Sequence, residues 1–220
     1  MKEEKHMLPF WDKLRNEQKL SLESSLSAKK FSKGQILHQG GNDCSGLFIV
    51  KSGRLRAFII SQSGREITLY RLFERDICLF SASCIMKNIS FDINIEAETD
   101  TEVFVIPADT YEELMKTSVE VSDYTNQLMA SRFSDVMWIM EQALFTSLDS
   151  RLSHFLLEER NIEGSDSLKI THEEIAMHLG SAREAITRML KYFQEENLVQ
   201  LSRGKITLMD IKGLRNLISY

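Results

Sequence analysis

Apolar residues repeat along this chain with two different periods, and the change of period marks its parts. Between Gly34 and Gly64, where six of the ten glycines fall, short apolar runs alternate with turn residues. Leu47-Phe48-Ile49-Val50 and residues 55–60 and 67–73 are predicted strands, with Ser52-Gly53 and Ser63-Gly64 as the turns between them. Residues 93–97 and 102–106 add two more. Many short strands with glycine turns point to a small antiparallel barrel or jelly roll. Residues 11–26 ahead of it predict a short helical segment. After Pro107 the period becomes helical: residues 109–115 form a short helix, and residues 119–145, free of Gly and Pro, a long one. That helix would run for ~40 Å. It carries two apolar stripes, Val121, Tyr124 and Leu128 on one and Met129, Phe133, Val136, Met140 and Ala143 on the other. Two stripes call for two partners: the roll, and the same helix of a second copy.

The last third reads as helices again. Residues 151–160 form an amphipathic helix, followed by a polar loop over 161–167. Thr171-His172-Glu173-Glu174 is a capping box, in which Thr171 caps a helix and Glu174 reaches back. Gly180 ends that helix, and Ser181-Ala182-Arg183-Glu184 reads as a second capping box. Two helices thus meet at a tight turn, with Ala176 where they cross and Ile186 facing the core, the spacing of a helix-turn-helix. At about 100° per residue, Ile186, Met189, Leu190 and Phe193 share one arc of the second helix. Arg183, Glu184, Thr187 and Arg188 share the opposite arc, near the end that enters a major groove in this motif. Arginine can bond guanine O6 and N7, and a carboxylate can accept from cytosine N4. Residues 198–201 and 205–209 alternate around Ser202-Arg203-Gly204, a hairpin that makes the unit a winged helix. Arg203 and Lys205 at its tip are expected phosphate contacts. Residues 211–220 predict a closing helix.

Composition changes this picture little. The 220 residues are 43% hydrophobic, enough for two modest domains, and the net charge is -5. From residue 148 onward ten Lys+Arg face eleven Asp+Glu. DNA binding must then rest on the placement of a few cations rather than on a basic domain. No apolar run approaches the ~20 residues that span a bilayer, and no apolar segment follows Met1-Lys2-Glu3-Glu4-Lys5, so a cytoplasmic location and no membrane partner are expected. Cys44, Cys78 and Cys84, an odd number without a C-x-x-C, argue against a disulfide framework or a four-thiolate zinc or iron–sulfur site. They read as free thiols in or near a core, with a redox switch through Cys78 and Cys84 as the alternative.

The whole pattern resembles the family of the cAMP receptor protein and the FNR-type oxygen sensor, the CRP/FNR regulators. Three stretches carry the likeness: Ile36-Leu37-His38-Gln39-Gly40 with Phe48-Ile49-Val50-Lys51-Ser52-Gly53, the long helix, and residues 170–199. The resemblance implies an α+β protein in three parts: a jelly-roll sensor domain of the cyclic-nucleotide-binding type over residues 1–118, a dimerising helix over 119–147 and a winged helix-turn-helix over 148–220. It further implies a homodimer on a pseudo-palindromic operator, regulation of transcription, RNA polymerase as a partner and no enzymatic activity. Arg183, Glu184 and Arg188 match the base-reading positions of the cAMP-receptor branch. Thr187 departs from that branch, which carries Gly there, towards the Ser of the oxygen-sensor branch, and a half-site with a TGA core is the expectation. Thr171, His172 and Ser181 complete the expected DNA contacts.

The sensor site departs further from the family. A cyclic-nucleotide pocket there uses a Gly-Glu pair and an Arg-Ser or Arg-Thr pair, because a phosphate needs N–H groups and a guanidinium, and a ribose a carboxylate. Here Asp76-Ile77-Cys78-Leu79-Phe80 and Phe91-Asp92-Ile93 stand instead, and no arginine lies between Arg75 and Arg132. cAMP is therefore not the expected ligand, and no other cofactor is evident. The cysteine cluster of the oxygen-sensor branch is missing before Cys44. No histidine lies between His38 and His154, which argues against haem held by an imidazole in the roll and against a cupin-like metal site. Phe80, Met86, Phe91, Val136, Met137 and Met140 remain as an apolar effector pocket, or as plain core in a regulator that needs no ligand.

Overall fold

The strand Leu47–Ser52 shows how this sequence makes its roll. Its first four residues, Leu47, Phe48, Ile49 and Val50, are all buried. A strand alternates its side chains between two faces, so an unbroken apolar run means that both faces are covered. Leu47 and Ile49 pack into one core cluster and Phe48 and Val50 into another. Its partner strand Thr101–Ile106 divides the same way, Phe104 and Ile106 to the first cluster, Val103 and Val105 to the second.

The computed structural model describes residues 7–40, 45–85 and 92–218. Eight strands precede the long helix: β1 Ser27–Phe31, β2 Ile36–Gln39, β3 Leu47–Ser52, β4 Leu55–Ile60, β5 Glu66–Leu72, β6 Ile77–Cys78, β7 Asn94–Ala97 and β8 Thr101–Ile106. They form two antiparallel sheets, ordered β1-β8-β3-β6 and β2-β7-β4-β5. The second cluster fills the space between the sheets, with Leu55, Ala57, Leu69, Leu72, Ile95 and Ala97 facing Phe48, Val50, Val103 and Val105. The first cluster covers the outer face of the β1-β8-β3-β6 sheet. It is built from the N-terminal segment, α1 Asn16–Ser25, α2 Ala108–Thr117 and the start of α3 Val119–Phe145. Gly53, between β3 and β4, sits at φ +87°, and a side chain there would run into the Asp100 carbonyl.

The helix expected over residues 11–26 is broken. A 3-10 turn covers Trp11–Lys13, and α1 begins only at Asn16, where the Arg15 N–H donates to Gln18 Oε1 at 2.9 Å. Strands β1, β2 and β6 are short and mostly polar or only two residues long, and the alternation of the sequence does not announce them. α2 and α3 are joined by a buried hydrogen bond between Tyr111 Oη and Thr125 Oγ1 of 2.8 Å, and burial pushes the Tyr111 hydroxyl up to about 12. On α3, Val121 is buried, and Tyr124, Leu128 and Met129 pack on the first cluster. Of the second stripe, Met129 and Val136 pack on the roll core, whereas Phe133 and Met140 are exposed.

The residues group into two compact units. One runs up to Ile59 and resumes over Leu69–Val136. The other combines Ile60–Thr68 with the chain from Met137 onward. The second contains α4 Leu148–Glu163, β9 Ser167–Leu168, α5 His172–Leu179, α6 Arg183–Glu195, β10 Val199–Ser202, β11 Lys205–Leu208 and α7 Ile211–Asn216. α4 runs three residues past the expected end at 160 and stops at Gly164, a left-handed residue at φ +62°. β9, expected as loop, pairs with β11 and completes a three-stranded sheet ordered β10-β11-β9. Leu152, Phe155 and Leu156 of α4, Ile175 and Ala176 of α5, Ile186, Leu190 and Phe193 of α6, and Leu168, Val199, Ile206 and Leu208 of the sheet share one core.

Candidate nucleic-acid interface

Two helix ends set this site. α5 starts at the capping box seen in the sequence. The Glu174 N–H donates to Thr171 Oγ1 at 3.1 Å, and the Thr171 N–H donates to Glu174 Oε2 at 2.8 Å. It ends at Gly180, φ +62° and ψ 31°, in the left-handed conformation that turns the chain most cheaply without a Cβ. The Arg151 guanidinium of α4 donates to the Leu179 carbonyl at 3.1 Å, a cation on the negative end of α5. Nothing in the sequence marks that contact.

The second capping box does not form. α6 begins at Arg183, its cap is Ala182, and no side chain caps it. Ser181 is already committed: its N–H donates to the Ala176 carbonyl at 3.0 Å and closes the end of α5. The turn between the helices is so short that the residue expected to open the second helix finishes the first.

The faces of α6 sort as the sequence indicates. Ile186, Leu190 and Phe193 are fully buried. Arg183, Glu184 and Arg188 are exposed, and Thr187 is half-buried. The Arg183 Nε lies 3.8 Å from Glu173 Oε2, with both side chains largely in solvent, a contact too weak to hold the arginine from a ligand. His172, the first residue of α5, places Nδ1 at 3.0 Å from Thr187 Oγ1. Burial, and then the Arg183 charge, lower the His172 pKa from its ordinary 6.5. The wing brings Arg203 and Lys205 to its exposed tip. Between α5, α6 and the wing lies a cleft of ≈ 340 Å³ lined by Thr171, His172, Glu173, Arg183, Ser202 and Lys205 among others. A helix opening onto hydroxyls, an imidazole and a lysine is a surface suited to a phosphodiester backbone.

The expected effector residues are not brought together in this way. Phe80 lies buried in the roll core beside Tyr70, ring centroids 6.2 Å apart, and Val136 packs on the same core. Met137 and Met140 are exposed, and Met86 and Phe91 lie outside the described residues. Cys78 is fully buried, and burial pushes its thiol up, away from the thiolate that redox chemistry uses. The side chain of Cys84 and all of Cys44 lie outside the described residues. Among the described residues no group of three or more His, Cys, Asp or Glu side chains could hold a metal ion, and no helix is long and apolar enough to cross a membrane.

A roll of two antiparallel sheets, a long helix and a winged helix-turn-helix define a DNA-binding regulator. Comparison with known proteins agrees. Residues 28–118 match the cyclic nucleotide-binding domain family model, and residues 150–217 match the Crp-like helix-turn-helix domain. A Crp/Fnr-family chain from Eubacterium rectale is similar in structure at a TM-score of 0.94 with 57% identity, over 97% of this chain and 99% of that one. The transcriptional regulator SdrP of Thermus thermophilus is 30% identical over 178 residues, 76% of this chain and 81% of SdrP. The anaerobic regulatory protein of Haemophilus influenzae is 27% identical over 209 residues, 90% of this chain and 80% of that protein. The chain belongs to the CRP/FNR family of transcription regulators.

Proposed function

We propose that this protein is a homodimeric transcription regulator. It reads a pseudo-palindromic operator through α6 of each protomer and answers to a signal received in the roll. The observation that carries the reading is the division of α6: Arg183, Glu184 and Arg188 stand exposed on the arc opposite Ile186, Leu190 and Phe193, beside a wing tip bearing Arg203 and Lys205. Thr171, His172, Ser181, Arg203 and Lys205 hold the backbone, while Arg183, Glu184, Thr187 and Arg188 face base edges. The pairing surface is α3, where Phe133, Trp138, Met140 and Leu144 are exposed. Apolar side chains at this density on one helix are what a coiled pairing with a second copy would cover. RNA polymerase is the partner that regulation of this kind addresses.

The test is selection of bound sequences from a random DNA pool by the full-length protein, followed by titration of the enriched site. A half-site containing TGA should emerge in inverted repeat. Arg188→Ala should weaken binding by about 1–3 kcal/mol per half-site and relax the preference at one position. Unchanged binding by that variant would remove α6 from the role. Sedimentation should give a dimer, and Phe133→Glu a monomer.

The roll supports the reading that cAMP is not the signal. Cys78, Leu79 and Phe80 stand buried and apolar where the family's nucleotide pocket needs a glycine and a carboxylate. Arg132, the first arginine after Arg75, pairs with Asp135 at 3.0 Å and stacks over Tyr70 at 4.6 Å. Tyr70, Cys78 and Phe80 filling the roll core favour a second reading, a regulator that binds its operator without an effector. Operator affinity measured with and without millimolar cAMP is expected to be the same; micromolar cAMP binding by calorimetry would overturn this part.

A further inference from the structure

On the outward arc of α6, Thr187 has its polar atom engaged by a side chain of the preceding helix. Its Oγ1 lies 3.0 Å from His172 Nδ1. A hydroxyl has one hydrogen and two lone pairs, so the state of its partner decides which of these it shows to anything else. A neutral imidazole intrinsically prefers its hydrogen on Nε2, which leaves the Nδ1 lone pair to accept the Thr187 hydrogen. The hydroxyl then offers lone pairs alone to the groove, and these suit an amino group, adenine N6 or cytosine N4. In an imidazolium both nitrogens carry hydrogen. Nδ1–H donates to Oγ1 and takes one of its lone pairs, the hydroxyl hydrogen is released, and an acceptor such as guanine O6 or N7, or thymine O4, becomes a partner it could not satisfy before.

The surroundings favour the first state at neutral pH. Glu173 adjoins His172 on α5, and Arg183 of α6 and Lys205 of β11 line the same cleft. Burial first, and then the Arg183 charge, disfavour a positive charge on the ring and lower its pKa.

We propose that His172 is a positioning residue that determines specificity: by accepting the Thr187 hydrogen it fixes Thr187 as an acceptor towards the major groove, and its protonation releases that hydrogen so that Thr187 can also donate. The inference rests on the reading of α6 as the base-reading helix. The Thr187 position of the half-site is defined as the one whose preference is lost in Thr187→Val, which keeps the shape and removes the hydroxyl.

The experiment is sequence selection by the full-length protein, then anisotropy titration of paired operators at nanomolar protein, at about pH 8 and about pH 5.5. At the Thr187 position the wild type should prefer an amino-bearing base at the higher pH and shift by about tenfold towards an acceptor base at the lower. His172→Gln cannot titrate and should show one preference at both pH values. His172→Phe should relax the preference, and its combination with Thr187→Val should add nothing to Thr187→Val alone. Thermal unfolding establishes that each variant is folded. A wild-type preference indifferent to pH, or a pH shift that survives in His172→Gln, overturns the inference. Enriched sites that depend on Arg188 but ignore His172 leave α6 as the reader and defeat this step alone; no enriched sequence at all defeats both.

Discussion

At the scale of single residues, the side chains proposed to face DNA divide into those legible in sequence and those that are not. Arg183, Glu184 and Arg188 are legible because a helix maps sequence onto an arc by rotation alone. The His172–Thr187 hydrogen bond joins two helices across a turn, and fifteen residues of separation carry no sign of it. Its existence has a consequence for stability as well as for reading. The folded state lowers the His172 pKa below 6.5, so on acidification the unfolded chain takes up this proton first. The residue's contribution is therefore complete above about pH 6.5 and is lost as pH falls through the lower folded value. The ring is only partly buried, so the effect is modest. Urea midpoints measured between about pH 7.5 and pH 5.5 should fall further in the wild type than in His172→Gln; parallel curves would remove His172 from the acid sensitivity of the fold.

At the scale of elements, the sequence shows what depends on period and misses what depends on pairing. β3 and β8 declare themselves because both faces are covered, and α3 because twenty-seven residues hold one helical run. β6 and β9 have two residues each, too few for any alternation, and exist because β3 and β11 offer them an edge. Ser181 has the right residue type for a helix cap, but its backbone N–H closes the preceding helix and is not left for the Glu184 carboxylate that a capping box would bring back. The roll also contains a polar layer that no period reveals. Glu98 holds Arg54 at 3.0 Å and Arg71 at 3.2 Å, while Arg56 and Glu96, opposite one another on β4 and β7, pair at 2.9 Å. Arg56 and Arg71 are almost fully buried. Charges so placed stabilise little as pairs but cost much when one partner goes. Glu98→Ala should destabilise the roll by about 3–5 kcal/mol, read as a lower urea midpoint with unchanged slope. A loss no larger than that of an exposed ion pair would show water reaching the arginines.

At the scale of the whole molecule, charge and symmetry limit how DNA can be held. The protein carries -5 overall, and the chain from residue 148 has ten cationic against eleven acidic side chains. Composition supplies no excess of cations for the affinity, so each phosphate contact must come from an identifiable residue, and a dimer would use each of them twice. Lys205 is the clearest case, exposed at the wing tip and lining the cleft at the start of α5. Each neutralised phosphate contributes about 0.9 to the slope of log affinity against log salt. If two copies grip the operator symmetrically, Lys205→Gln should lower that slope by about 1.8 while leaving the selected sequence unchanged. A drop of about 0.9 would mean that one wing alone touches the backbone, and the symmetric dimer would have to be given up. Weaker binding with an unaltered slope would place Lys205 away from any phosphate and move the wing's contribution to Arg203. Anisotropy titrations over a series of salt concentrations separate these outcomes, because the slope counts contacts independently of how strong the complex is.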